Sequence, residues 1–117
     1  MAHHGVDGLL AGLEICGAAP ELRHGLVTFK VVPVSGDLAG RVVDSGISVQ
    51  EAASWPLIPP HWVHLPSDVR LQHTNAQQST HPGWLMHSRN IVGWGDALRP
   101  GQAWLAHLRA VLAGAVR

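Results

Sequence analysis

Residues 55–60 read WPLIPP, and this stretch decides the fold. Pro56, Pro59 and Pro60 lack a backbone N–H, so they cannot donate the hydrogen bonds that the interior of a sheet requires. A proline also pushes the residue before it toward an extended conformation. The stretch therefore predicts a rigid, extended segment that crosses between two strands.

The sequence on either side of this crossing has the composition of strands. Residues 26–34 (LVTFKVVPV) are rich in β-branched side chains, which suit a pleated sheet. A turn signal at 35–37 separates them from a second strand, or a bulged pair of short strands, at 41–43 and 46–49. Residues 62–65 (WVHL) predict one more short strand. Together these segments indicate an antiparallel meander of about four strands.

The C-terminal residues 100–116 have the clearest helical pattern in the chain. Pro100 suits the first turn of a helix, where its missing N–H has no intrahelical partner. One apolar face follows at helical spacing, formed by Trp104, Leu105, Leu108, Val111, Leu112 and Ala115. We expect this helix to pack on the meander.

The remaining segments complete one predicted α+β domain over residues 1–117. Region 1–24 predicts a short helix at 7–13, which Asp7 can cap, and a short strand near 14–17. Residues 66–82 are polar and weakly periodic, so they predict a long surface loop. A length of 117 residues fits a single domain.

Composition narrows the possible functions. Hydrophobic residues make up 46% and charged residues 14%, as in a folded protein. The formal net charge is zero and there is no basic run, so we expect no nucleic-acid or anionic-membrane partner. The single cysteine, Cys16, and a start without the features of a secretory signal predict a cytoplasmic location. No apolar stretch has the length of a membrane span, and no cofactor is expected.

The order of these elements, with the aromatic-Pro-x-x-Pro-Pro pattern of Trp55, Pro56, Pro59 and Pro60, resembles the ubiquitin-conjugating (E2/UBC) superfamily. Residues 46–49 lie where the third strand of that family would be. His81-Pro82-Gly83 resembles the family's His-Pro-Asn motif, with Gly83 in place of the asparagine. The resemblance implies a UBC-like α+β fold over roughly residues 25–115.

A second set of residues is similar to a divergent group of bacterial E2-like proteins. This group has a tryptophan, a Ser-Arg pair, another tryptophan and a terminal helix, matched here by Trp84, Ser88, Arg89, Trp94 and residues 100–116. The resemblance implies a place in a bacterial ubiquitin-like conjugation system. The implied partners are a ubiquitin-like protein, an E1-like enzyme or a JAB-type peptidase.

The chain departs from an E2 enzyme at the nucleophile. An E2 carries its thioester on a cysteine shortly after the His-Pro-Asn motif, and no cysteine lies between His81 and Arg117. A thiolate suits transthiolation because it is both a nucleophile and a good leaving group. We therefore expect a non-catalytic or atypical E2-like protein, a pseudo-enzyme that acts as an interaction module.

The histidines and tryptophans of the second half supply the candidate site. Arg89 can grip a carboxylate, His87 can titrate near neutrality, and tryptophans offer flat contact area. The predicted binding residues are Trp62, Trp84, His87, Arg89 and Trp94. The alternative is structural: Arg89 anchors the long loop and the tryptophans fill the core.

Other chemistries remain open from the sequence. One is an atypical enzyme in which Ser88 is a nucleophile, with His81 or His87 as base and Asp96 as orienter. A second is a reactive Cys16. A third is a metal- or small-molecule-binding domain, whose candidate ligands are His61, His64, His73, His81 and His87. The spacing of these histidines matches no common zinc motif, so a dedicated metal site is not expected.

Overall fold

The computed structural model describes residues 4–71, 76–96 and 99–116. The chain is α+β, with a six-stranded antiparallel sheet, a two-stranded sheet and three α-helices in the described part. The elements in chain order are α1 (Gly5–Ile15), β1 (Glu21–Arg23), β2 (Leu26–Val31), β3 (Val43–Ser48), α2 (Val49–Ala52), β4 (Trp62–Pro66), β5 (Arg70–Leu71), β6 (Ala76–Gln78), β7 (Trp84–Ser88), a 3-10 turn (Trp94–Asp96), α3 (Pro100–Leu112) and β8 (Ala115–Val116).

The large sheet has the order β1-β2-β3-β4-β7-β6. Strands β1 to β4 are neighbours in both chain and sheet, which confirms an antiparallel meander, but its first strand, β1, lies at Glu21–Arg23, outside the segments predicted as strands. The chain then leaves the sheet and returns as a β6–β7 hairpin, in which β7 pairs with β4. The large sheet is therefore two strands wider than predicted.

Successive side chains of a strand point to opposite faces, so the strand register sorts the side chains into two faces. The core face carries Val27, Ile47, Val63 and His87, which occupy one row across four strands. The outer face carries the neighbouring row, formed by Thr28, Gly46, His64, Met86 and Gln77.

Helices α1 and α3 pack against the core face. Leu9 and Leu13 of α1 and Trp104, Leu108 and Leu112 of α3 are fully buried in one apolar cluster with the core-face strands. The two helices approach closely at Gly12 and Gly101, where a Cβ on Gly101 would lie 2.9 Å from the carbonyl oxygen of Gly12. The absence of a side chain at this crossing lets both helices reach the sheet.

Residues 55–60 connect β3 to β4 as predicted, but the segment is not extended: residues 55–57 form turns, and the Ile58 N–H donates to the Ser54 carbonyl oxygen at 3.1 Å. A short helix, α2, first turns the chain away from β3, and the Ser48 side chain caps it by accepting a hydrogen bond from the Glu51 N–H. Trp55 and Pro60 are buried, whereas Leu57 and Ile58 face solvent. The peptide bond between Trp55 and Pro56 is cis.

Four sequence predictions differ from the structure. Residues 14–17 are not a strand, because α1 extends to Ile15, and its N-cap is His4 rather than Asp7. The second strand is the single strand of the two predicted alternatives, but it covers Val43–Ser48 rather than residues 41–49. Helix α3 begins at Pro100 as predicted but ends at Leu112, and residues 115–116 pair with β5 instead. Because the partner of residues 115–116 lies more than forty residues away along the chain, the local pattern does not reveal this pairing.

The predicted loop over residues 66–82 contains two short strands in its described part. Strand β5 pairs with the C-terminal β8, and β6 forms the outer edge of the large sheet. Both strands are short and largely exposed, so they lack the apolar alternation that marks a strand. Among the described residues, no helix has the length and apolar character needed to cross a bilayer.

Candidate functional site

The outer face of the sheet holds two adjoining cavities of about 410 and 550 Å³. The β6–β7 hairpin loop, residues 79–83, folds onto this face and lines both cavities with His81. The loop is held by its own hydrogen bonds, since the Ser79 hydroxyl accepts from the His81 N–H at 3.0 Å. The predicted His81-Pro82-Gly83 segment is therefore the tip that separates the two cavities.

The larger cavity combines polar and apolar groups. Its floor includes His64 and its walls include Trp62 and Met86, which project from β4 and β7 on the same face. The remaining lining residues are Gly25, Ser48, Val49, Gln50, Glu51, Ser79, Thr80 and His81. This mixture suits a small molecule or an extended peptide, for which the apolar walls provide contact area and the polar groups fix orientation.

His64 and His81 are neighbours in this cavity, with ring centroids 6.0 Å apart. His64 is buried, and its Nδ1 has no hydrogen-bond partner among the described residues. Burial, reinforced by the nearby His81, lowers the pKa of His64 to about 4. His64 is therefore neutral at physiological pH, and its ring can act as an uncharged hydrogen-bonding group on the cavity floor.

Ser88 lies on the outer face, directly opposite Trp62 in the β4–β7 ladder. Its hydroxyl oxygen is 2.5 Å from Nε2 of His61, the residue that precedes β4. Sequence reasoning proposed His81 or His87 as the base for Ser88. The structure places His87 on the opposite face and His81 beside His64, so His61 is the histidine that contacts Ser88.

Two backbone hydrogen bonds hold His61 in this position. The carboxylate of Glu51 accepts from the His61 N–H at 2.6 Å, and the Arg89 N–H donates to the His61 carbonyl oxygen at 3.2 Å. The sequence interpretation did not include Glu51. Its contact depends on how residues 55–60 return the chain, and no local pattern around Glu51 signals it.

His87 is buried and Arg89 is half-buried, and neither residue lines the outer cavities. His87 is 2% exposed, and neither ring nitrogen has a hydrogen-bond partner in the described part of the chain. Burial lowers the pKa of His87 and of His107 on α3, and the positive charge of Arg89 lowers both further. The three side chains therefore form a polar region beneath β7, apart from Ser88.

The other predicted binding residues separate into two places. Trp62 and Trp84 line the outer-face cavities. Trp94 instead packs edge-on against Trp55, with ring centroids 5.3 Å apart, and its Nε1 donates to the Pro56 carbonyl oxygen at 2.7 Å. Trp94 thus ties the segment after β7 to the proline-rich crossing.

The cysteine and metal hypotheses receive no support from the positions of these residues. Cys16 lies at the C-cap of α1 and packs against the core. Of the metal candidates, His64 and His81 are near each other, His61 contacts Ser88, His87 is on the other face and His73 lies outside the described residues. No group of three or more metal-binding side chains has suitable geometry among the residues described. The side chain of Asp96, the proposed orienter, also lies outside the described part.

Acidification is expected to destabilise the protein through its buried histidines. His64, with a folded-state pKa of about 4 against about 6.5 when unfolded, resists protonation only in the folded state. Unfolding is therefore accompanied by proton uptake below about pH 6.5. The free energy of unfolding is highest above this pH and decreases as the pH falls toward 4. After allowance for solvent screening, His64 alone should remove about 1–2 kcal/mol between about pH 7 and about pH 5.

Urea denaturation at these two pH values measures this loss. His64→Gln removes the titrating group and should flatten the pH dependence, whereas His24→Asn, at an exposed position with φ of +50° that asparagine tolerates, should leave it unchanged. If the free energy of unfolding depends equally on pH in the wild type and in His64→Gln, the loss of stability cannot be assigned to His64. His87 and His107, whose pKa values are also lowered, contribute in the same direction.

The fold and site define an α+β domain with a polar-apolar groove on the outer face of its sheet. Comparison with known proteins adds no relative: no protein-family model matches the chain, and no curated protein or solved structure matches it at a significant level.

Proposed function

We propose that this protein is an E2-like interaction module of a bacterial ubiquitin-like conjugation system, without the cysteine-linked thioester of a conjugating enzyme. The order of elements supports a UBC-like arrangement: a helix, a four-stranded meander, and a proline-rich crossing between the third and fourth strands. The His81-Pro82-Gly83 segment follows the fourth strand, as the His-Pro-Asn motif does in the family that the chain resembles.

The missing cysteine favours binding over conjugation. Cys16 is the single cysteine of the chain and lies at the end of α1, before the meander. A conjugating enzyme needs a thiolate that can accept and release an acyl group. A chain without a cysteine after its proline motif can still bind partner proteins through the surfaces of the fold. It cannot carry out transthiolation.

An exposed apolar patch carries the proposal. Leu57 and Ile58 in the crossing are 80% and 61% exposed, and Val92, two residues before Trp94, is 96% exposed. The hydrogen bond from Trp94 to the Pro56 carbonyl brings these two segments together. Exposed apolar side chains that are gathered on linked segments favour a protein-interaction site. The patch therefore fits a protein component of the conjugation system: a ubiquitin-like protein, an E1-like enzyme or a JAB-type peptidase.

A copurification experiment tests this function. Tagged protein, coexpressed with the proteins encoded beside it, is expected to retain one of these three partners. Leu57→Asp should weaken the measured affinity by about tenfold or more, because it places a charge in the apolar contact. Val34→Asp is the matched control, since Val34 is also highly exposed but lies in the β2–β3 connection.

Two results would contradict the proposal. The first is recovery of none of the three partner types when all neighbours are expressed and soluble. The second is equal loss of binding in Leu57→Asp and Val34→Asp, which would show that the affinity does not depend on the patch around residues 57 and 92.

A further inference from the structure

The contact between His61 and Ser88 has the geometry of a base and a nucleophile. We propose that Ser88 is an acyl acceptor, activated by His61, for carboxylic esters or thioesters that lie in the outer-face groove. The distance from His61 Nε2 to Ser88 Oγ is 2.5 Å, which is a short hydrogen bond, and a direct contact of this kind is what a histidine needs to remove a hydroxyl proton. This activity goes beyond the proposed binding function and does not depend on the identity of the partner.

The pairing of β4 with β7 places His61 near Ser88, so the contact between them exists before any substrate binds. Trp62 and Ser88 are directly opposite in the ladder, which brings the preceding His61 to the Ser88 hydroxyl. The His61 backbone is held at its N–H by Glu51 and at its carbonyl by Arg89. His61 lies just before β4, and a base whose backbone is fixed by two hydrogen bonds loses little entropy when the reaction begins, which favours catalysis.

Other described serines have different roles. The Ser45 hydroxyl donates to the His64 carbonyl oxygen, the Ser48 hydroxyl caps α2, and the Ser79 hydroxyl accepts from the His81 N–H. Each of these hydroxyls serves the backbone. Ser88 instead meets a ring nitrogen, and both Ser88 and His61 are only partly buried, so a substrate can reach them.

Ser88 and His61 do not themselves line the outer-face cavities, but two lining residues are their neighbours on the same face of the sheet. Trp62 and Met86 line the cavity of about 550 Å³ and share the outer face with Ser88, opposite it and two residues before it respectively. Their apolar side chains suit an acyl chain or the extended end of a peptide. The proposal requires the reactive carbonyl of such a ligand to extend past Trp62 to the Ser88 hydroxyl.

Transfer of the acyl group to Ser88 needs no reactant other than the ester or thioester. His61 Nε2 takes the Ser88 Oγ proton as Oγ bonds to the carbonyl carbon, and the carbonyl π electrons move to its oxygen. When the tetrahedral intermediate collapses, the bond from the carbonyl carbon to the leaving oxygen or sulfur breaks. His61 gives its proton to that leaving group, so an alcohol or thiol departs and an ester on Ser88 remains.

A fluorophosphonate probe tests the proposal on the full chain. Attack by Ser88 would form an O–P bond and expel fluoride, and mass spectrometry would locate the adduct on Ser88. Ser88→Ala should abolish labelling at this position, and His61→Gln should slow it by about 10²–10⁴-fold, the usual contribution of a general base. Ser67→Ala, at an exposed serine in the β4–β5 connection, is expected to label like the wild type.

The wild-type result alone can overturn the proposal, so it does not depend on whether a variant folds. Absence of an adduct on Ser88 at a probe concentration that labels a known serine hydrolase would exclude the nucleophile. Equal labelling rates of wild type and His61→Gln, with matching circular dichroism spectra, would exclude the base. Either result leaves the partner-binding function untouched, because that function is tested with Leu57→Asp.

Discussion

Replacement of Trp104 with alanine is expected to lower the free energy of unfolding by about 3–5 kcal/mol. Trp104 is 0% exposed and is the largest fully buried side chain of the core. Removing it takes away buried apolar area and leaves a cavity between α3 and the sheet. Because small domains are stable by only about 5–15 kcal/mol, this change should unfold much of the population at moderate urea concentration.

Far-UV circular dichroism during urea denaturation measures this effect without relying on tryptophan fluorescence. Trp104→Phe is the matched variant: it keeps most of the ring and removes the indole N–H, which has no hydrogen-bond partner among the described residues. We expect it to cost less than about 1.5 kcal/mol. A cost for Trp104→Ala no greater than that of Trp84→Ala, at a half-buried tryptophan, would show that Trp104 does not anchor the core.

Replacement of Gly101 with leucine is expected to lower the free energy of unfolding by about 1–3 kcal/mol, despite the higher helix propensity of leucine. A Cβ at Gly101 would lie 2.9 Å from the Gly12 carbonyl oxygen and 3.0 Å from its carbon. Both are backbone atoms of α1, so they cannot move aside as a flexible side chain would. The helices must separate, which loosens the packing of Leu9 and Leu13.

Gly114→Ala provides the control for Gly101→Leu. Gly114 follows the same helix, and its new Cβ would meet the Val111 carbonyl oxygen at an ordinary contact distance of 3.5 Å. Thermal denaturation of the two variants should show a clear loss for Gly101→Leu and a small change for Gly114→Ala. A stabilised Gly101→Leu would mean that α1 and α3 are not in close contact at Gly12.

Local sequence patterns predicted much of the fold because these elements have clear apolar spacing, β-branched residues or prolines. The apolar face of α3 was predicted from Trp104, Leu105, Leu108 and Leu112, all of which are buried. Strand β2 was predicted at 26–34 from its β-branched residues, and the structure has it at Leu26–Val31. Residues 55–60 were predicted as a crossing because prolines restrict the backbone in any context.

The candidate site was predicted less completely, because its geometry depends on strand register. Ser88 was singled out, but its partner proved to be His61, which is 27 residues away and meets it through the β4–β7 pairing. His87 was one predicted base for Ser88, but adjacent residues of a strand point to opposite faces, so the His87 ring does not face the Ser88 hydroxyl. Trp94 was predicted to bind a partner, and the structure shows it hydrogen-bonded to the Pro56 carbonyl.

An α+β chain with a proline-rich connection, an amphipathic C-terminal helix and no cysteine after Cys16 could be predicted from the amino-acid sequence. These features follow from side-chain periodicity, the backbone limits of proline and residue identity, all of which act locally. Three features could be seen only in the folded chain: β7 pairs with the meander, His81 lines both outer cavities, and His61 contacts Ser88. Those outcomes are long-range, because pairing between distant strands sets the register, and the register sets which side chains meet.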